Sequence, residues 1–158
     1  MDIEILPHIG LASFRIGMSF DEAMAVAEGW GSVKHSPAGE RPPGKYVVEP
    51  KGYDFDFVLI FRQDETLNSI EMWRFRDEEA DVRVTLEGMD VFRTPKKQLR
   101  RQIEERGHAL ERNDLGFDAV PELNIIFANA SSYEYPTDPR TGAPLYFDYV
   151  LVSDRITP

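Results

Sequence analysis

Between Tyr53 and Phe61 a large apolar side chain occupies every second position, and that period constrains the fold more than any other feature of the chain. Tyr53, Phe55, Phe57, Leu59 and Phe61 share one face, while Asp54 and Asp56 begin the other. Only an extended strand sends alternate side chains to opposite faces, and a face this apolar has to be covered. Residues 62–68 read as a turn and 69–76 as a second strand, which makes a hairpin. The run 145–153 is a further strong strand, with Leu145, Phe147, Tyr149 and Leu151 on one face and Tyr146, Asp148, Val150 and Val152 on the other. Shorter strands are expected at 122–128 and within 108–112.

Two helices are available as the cover. Ser19 followed three residues later by Glu22 is a capping box. Behind it Phe20, Ala23, Met24, Ala27 and Trp30 recur at helical spacing, and Gly29 or Gly31 can end the helix. Gly17 lets the chain turn into that helix. The stretch lacks the glycines and the lysine of a phosphate-binding loop. A second helix is expected over 94–106, with Thr94 as cap, Pro95 as first helical residue, Leu99 and Ile103 as a narrow apolar stripe and Gly107 as the stop. Residues 34–45 read as a Pro/Gly-rich loop, 77–81 as an acidic connector and 129–144 as a long loop. The order of elements then recurs: Gly17-Met18-Ser19 opens one half and Gly88-Met89-Asp90 the other, about 70 residues apart. The expected architecture is a single α+β domain over 1–158, an antiparallel sheet with helices packed on one face, built from two helix–strand repeats (1–79 and 80–158).

With 42% hydrophobic residues, including ten Phe, six Tyr and two Trp, a chain of 158 residues can bury a real core. Its formal charge of −10 argues against nucleic acid and against anionic membrane surfaces, and would steer a basic protein toward it. The absence of cysteine excludes disulfides, thiolate metal sites and a cysteine nucleophile. Asp2 and Glu4 stand where a signal peptide would be basic, and no apolar run approaches the roughly 20 residues of a membrane helix. The expected location is the cytoplasm, so the sequon Asn129-Ala130-Ser131 carries no weight.

Residues 15–31, RIGMSFDEAMAVAEGWG, resemble the Gly-Met-Ser/Thr-x-x-Glu helix starts of small bacterial helix-plus-sheet repeat domains. The β-lactamase inhibitor protein and small lipoprotein A families are among these. The resemblance implies a tandem of repeats and, from the inhibitor family, a sheet face that binds an enzyme. The chain departs from that pattern in having no cysteines, no export signal and basic residues in its second helix. In size and acidity it is also similar to cytoplasmic immunity proteins that neutralise toxins. No functional residue is carried over from either.

The candidate sites are therefore read from the residues. Asp54 and Asp56 point the same way, which suits acid–base chemistry or a metal, or equally the solvated polar face of a strand. If Ile70 and Met72 face the core, then Glu71, Trp73 and Phe75 face out; in the opposite register Arg74 and Arg76 lie outside with Met72 and Trp73 is buried. Placed near Tyr146, Asp148, Asp54 and Asp56, an exposed Trp73 with Glu71 would form an aromatic and acidic face suited to a basic protein. Lys96, Lys97, Arg100 and Arg101 crowd the first half of the second helix, against its macrodipole, with Glu104 and Glu105 placed to pair with Arg100 and Arg101. The crowding fits either an anion site or a solvated face. His8, His35 and His108 show no metal-ligand spacing, and there is no nucleophile elbow or dinucleotide fingerprint. No metal and no cofactor is expected.

The expected function is that of a cytoplasmic, non-enzymatic protein-binding domain, immunity- or inhibitor-like, acting on a basic toxin or enzyme through this sheet face. The alternative is a small-molecule binder or hydrolase-like enzyme with a pocket between sheet and helices, in which Asp54, Asp56 and His108 would be the first residues to examine.

Overall fold

Cross-strand pairing turns the alternation of single strands into the two faces of a sheet, and the computed structural model describes that pairing for residues 1–11, 13–36, 41–113 and 116–155. In chain order the elements are β1 (Asp2–Leu6), β2 (Gly10–Leu11), β3 (Phe14–Arg15), α1 (Phe20–Trp30), β4 (Gly31–Ser36), β5 (Gly44–Pro50), β6 (Phe57–Phe61) and β7 (Leu67–Trp73). They continue with β8 (Arg83–Leu86), β9 (Met89–Asp90), α2 (Lys96–Glu105), β10 (Glu111–Arg112), β11 (Phe117–Val120), a 3₁₀ turn at Pro121–Leu123, β12 (Ile125–Ala128) and β13 (Tyr149–Ser153).

An eight-stranded antiparallel sheet runs in the order β10-β11-β12-β13-β7-β6-β5-β4. Four strands follow α1 and four follow α2, and the last strand of each set, β7 and β13, join the sets with Tyr149 opposite Trp73 and Val152 opposite Ile70. The protein is thus of the α+β class, with two helices and mostly antiparallel sheet. A second sheet, β3-β2-β1-β8-β9, was not expected, and neither was its parallel pair, Asp2 to Ile5 of β1 on Arg83 to Leu86 of β8. Both strands are short, and their partners lie too far along the chain for a local pattern to announce them.

Registers place Tyr46, Val48, Phe57, Leu59, Ile70, Met72, Val150, Val152, Ile125 and Phe127 on one face of the large sheet, and every one of them is buried. Burying each large aliphatic or aromatic side chain of this set is worth about 1.5–3 kcal/mol. α1 meets this face with Phe20, whose ring lies 5.0 Å from that of Tyr46 and 5.3 Å from that of Phe61. Phe14 of β3 and Trp30 complete the cluster, both packed against Phe57. Of the five residues expected to share this face on 53–61, Tyr53 does not: it precedes β6 and stands exposed.

Helix α1 starts as read, with Ser19 Oγ accepting from the Glu22 N–H at 3.2 Å. It stops at Gly31 for a packing reason. A Cβ there would lie 2.0 Å from the Glu49 carbonyl oxygen, so only glycine lets β4 close onto β5. Helix α2 differs from expectation at its start: Pro95 is the cap residue and no side chain caps the helix. Its stripe is as read, with Leu99 and Ile103 buried, and Gly107 follows at φ +87. The aperiodic loop expected over 34–45 is strand at its two ends, since β4 runs to Ser36 and β5 begins at Gly44; residues 41–43 are irregular and 37–40 lie outside those described.

Candidate functional site

The opposite face of the large sheet is built from the alternate positions of the same strands. Glu71 and Trp73 of β7 project there, as do Val58 and Ile60 of β6, Tyr149 and Leu151 of β13, and Ile126 of β12. Trp73, Leu151, Ile126 and Ile60 are half-buried. Tyr149 stands directly across from Trp73, and their rings meet edge to face with centroids 4.7 Å apart. Its hydroxyl donates to the Glu71 carboxylate, and Lys45 Nζ lies 3.4 Å from the same carboxylate. Burial, with Glu71 beside it, holds the Tyr149 phenol far above its ordinary range, so it acts as a fixed donor. At the centre of this face are therefore two locked aromatic rings over a carboxylate whose charge Lys45 partly answers.

At one end of the face a cavity of about 250 Å³ is lined by Asp54, Asp56, Trp73, Arg76, Ser131 and Tyr135 among others. Desolvation, then the neighbouring Glu49, pushes the Asp56 carboxyl above its ordinary value. Asp54 is engaged structurally, its Oδ2 accepting from the N–H of Arg76 at 3.2 Å and of Asp77 at 2.9 Å. That pins the start of the acidic 77–81 segment to the rim. Tyr133, 43% exposed, lies above Arg76 and packs against Tyr135.

The structure thus brings together Glu71, Trp73, Asp54 and Asp56 of the residues singled out from the sequence. It does not bring Tyr146 and Asp148 to the same place. Asp148 is only 4% exposed; its Oδ1 accepts from Ala130 N at 2.8 Å and Ser131 N at 3.2 Å, organising the start of the long loop. Tyr146 packs on the Arg74 guanidinium, 4.6 Å from its ring centroid. β13 begins only at Tyr149, and Val150 and Val152 are its buried pair, so the face chosen for 145–153 is the wrong one. The aliphatic pair Val150/Val152 was the available signal. Phe75, expected outward with Trp73, is buried because β7 ends at Trp73 and the chain bends.

Arg74 is the residue that sequence reasoning undervalued. Fully buried, it donates from Nε to the Phe92 carbonyl at 2.8 Å and from Nη2 to Glu78 at 2.8 Å, among the rings of Phe75, Tyr135 and Tyr146. Arg100 pairs with Asp118 of β11 rather than with Glu104, and Lys96 Nζ donates to Asn129 Oδ1 at 2.6 Å. His8 hydrogen-bonds the Glu122 carbonyl, while His108 bridges the Glu87 and Glu122 carboxylates, which raise its pKa. His35 lies in β4. Among the described residues no group of His, Asp and Glu side chains is placed to hold a metal ion, and no helix is long and apolar enough to cross a membrane. No family model, no curated protein and no solved structure matches the chain.

Proposed function

We propose that this chain is a non-enzymatic protein-binding domain of the cytoplasm, acting in the manner of an immunity or inhibitor protein, and that the Trp73 face of its large sheet docks a basic partner. The observation that carries this reading is the Trp73–Tyr149 pair, set among Ile60, Ile126 and Leu151 on the face opposite the core. Half-buried Trp73, Ile60, Ile126 and Leu151 around a buried Tyr149, rimmed by charge, have the composition of a binding hot spot. Asp54, Asp56, Asp77 and Glu79 at one end, with a formal charge of −10 overall, favour a basic partner and speed its encounter.

The same reading includes two structural proposals. Both helices cover the core face, supported by Phe20 of α1 against Tyr46 and by Arg100 of α2 against Asp118, residues of one face. The halves 1–79 and 80–158 are repeats of one unit, supported by a helix followed by four strands of the large sheet in each and by the joining of those sets through their last strands, β7 and β13.

The test compares the immobilised wild-type chain with a Trp73→Ala/Leu151→Ala variant in lysate of the source cell, followed by titration of the purified partner. A basic protein should be retained by the wild type, bind the variant at least about tenfold more weakly, and associate more slowly as salt is raised. Equal retention of the same proteins by both chains would refute the assignment of this face.

A further inference from the structure

A second concavity lies away from the Trp73 face, between the start of α2 and residues 138–145, with a volume of about 370 Å³. That volume falls in the range of small-molecule sites. One wall is cationic, formed by Lys96, Lys97, Arg100 and Arg112; another, formed by Pro95, Pro144 and Leu145, is apolar. Its single carboxylate, Asp138, accepts at Oδ1 from Arg140 N at 2.8 Å within its own turn, so one acid stands against four cations.

The balance of charge here runs opposite to that of the whole molecule. Arg100 is answered by Asp118, whereas Lys96 forms no ion pair among the described residues: its ammonium donates to the neutral amide of Asn129 and lies 5.2 Å from the centroid of the Phe147 ring. Among the described residues no carboxylate pairs with Lys97 or Arg112. The first turn of α2 holds no acid and no capping side chain, and the acids of the helix, Glu104 and Glu105, come only at its other end. Burial, then Arg100, pulls the Lys96 pKa below its ordinary value, and the carboxylates of Asp118 and Asp148 only partly offset this. A local arrangement that costs stability with no gain of its own is the pattern of a functional site.

We propose that this cavity binds a small organic anion, with its carboxylate or phosphate head on Lys96, Lys97 and Arg112 and its apolar body against Pro144 and Leu145. The apolar wall selects the class, because a fully hydrated inorganic anion gains nothing from it while a ligand with a hydrocarbon body does. The site is independent of the proposed partner face, and either can fail alone.

The experiment is an NMR titration of the full-length ¹⁵N-labelled chain with phenyl phosphate, benzoate and inorganic phosphate in parallel. Phenyl phosphate or benzoate should give saturable shifts at the amides of Lys97, Arg112 and Leu145, and the tighter of the two identifies the head group. Inorganic phosphate should bind at least about threefold more weakly than phenyl phosphate. Lys97→Gln/Arg112→Gln removes two exposed cations, and its spectrum elsewhere reports that it is folded. It should weaken the organic anion at least about tenfold, whereas Trp73→Ala should leave binding unchanged. Shifts that do not saturate, equal affinity in the double variant, or inorganic phosphate binding as tightly as phenyl phosphate would each overturn the proposal.

Discussion

Replacing Asp118 with alanine tests the reading of how α2 is held to the sheet. Asp118 lies on the core face of β11, in register with Phe127, and its side chain is 3% exposed. Arg100 of α2 reaches it with two N–H groups, Nη2 at 3.2 Å from Oδ1 and Nε bonded to Oδ2, while its guanidinium lies 5.4 Å from the Phe147 ring. Removing one partner of a buried pair leaves the other charge without compensation, at a cost of about 3–5 kcal/mol. Arg100 keeps 17% exposure and borders an open cavity, so it can turn partly toward water. The lower end, about 3 kcal/mol, therefore applies. With a urea slope of about 2 kcal/mol/M for a chain of this size, the unfolding midpoint should fall by about 1.5 M. Arg100→Met/Asp118→Val removes both charges and should return to within about 1 kcal/mol of the wild type, since an apolar pair of similar volume often replaces a buried ion pair without loss. A loss below about 1 kcal/mol for Asp118→Ala, or a double variant as unstable as the sum of the singles, would show that the contact does not organise this corner of the core.

Three further outcomes follow from particular contacts. Phe57→Ala, at a fully buried site packed on Phe14 and Trp30, should cost about 3–5 kcal/mol in chemical denaturation, whereas Trp73→Ala on the other face should lose little beyond its ring contact with Tyr149, about 1 kcal/mol; comparable losses would contradict the assignment of faces. Gly31→Ala places a Cβ 2.0 Å from the Glu49 carbonyl oxygen and should cost at least about 2 kcal/mol, with amide-exchange protection lost first along β4 and β5. Because Glu87 and Glu122 raise the pKa of His108 in the folded chain, its contribution to stability is complete below the ordinary imidazole value and is lost as pH rises through the raised one. The thermal midpoint of the wild type should therefore fall, relative to that of His108→Gln, as pH rises from below the ordinary imidazole pKa through the raised one, and parallel curves would remove the bridge from the account.

The readable part of the candidate site is the part carried by strand period. Ile70 and Met72 against Glu71 and Trp73 is a two-residue alternation, and pairing with β6 and β13 settled which pair was buried. The same alternation misled at 145–153, because both of its faces are largely apolar and the strand starts only at Tyr149. Tyr149 thus stands beside Trp73 in the place expected for Tyr146, and Asp148 became a buried loop anchor. Arg74 was not legible as a buried anchor: its ion-pair partner Glu78 lies only four residues on, but Phe92, Tyr135 and Tyr146, which it also contacts, come from distant stretches.

By itself the amino-acid order determined the local elements: the capped helix from Ser19, the strands around Phe57 and Met72, and the α+β class. These rest on bond geometry and side-chain period, which a short segment carries wherever it lies. Only the tertiary structure decided that β1 runs parallel to β8, that β7 meets β13, and that four cations of α2 and β10 border one cavity. Those outcomes depend on which distant surfaces bury each other, a choice made by the whole core and written in no single stretch of chain.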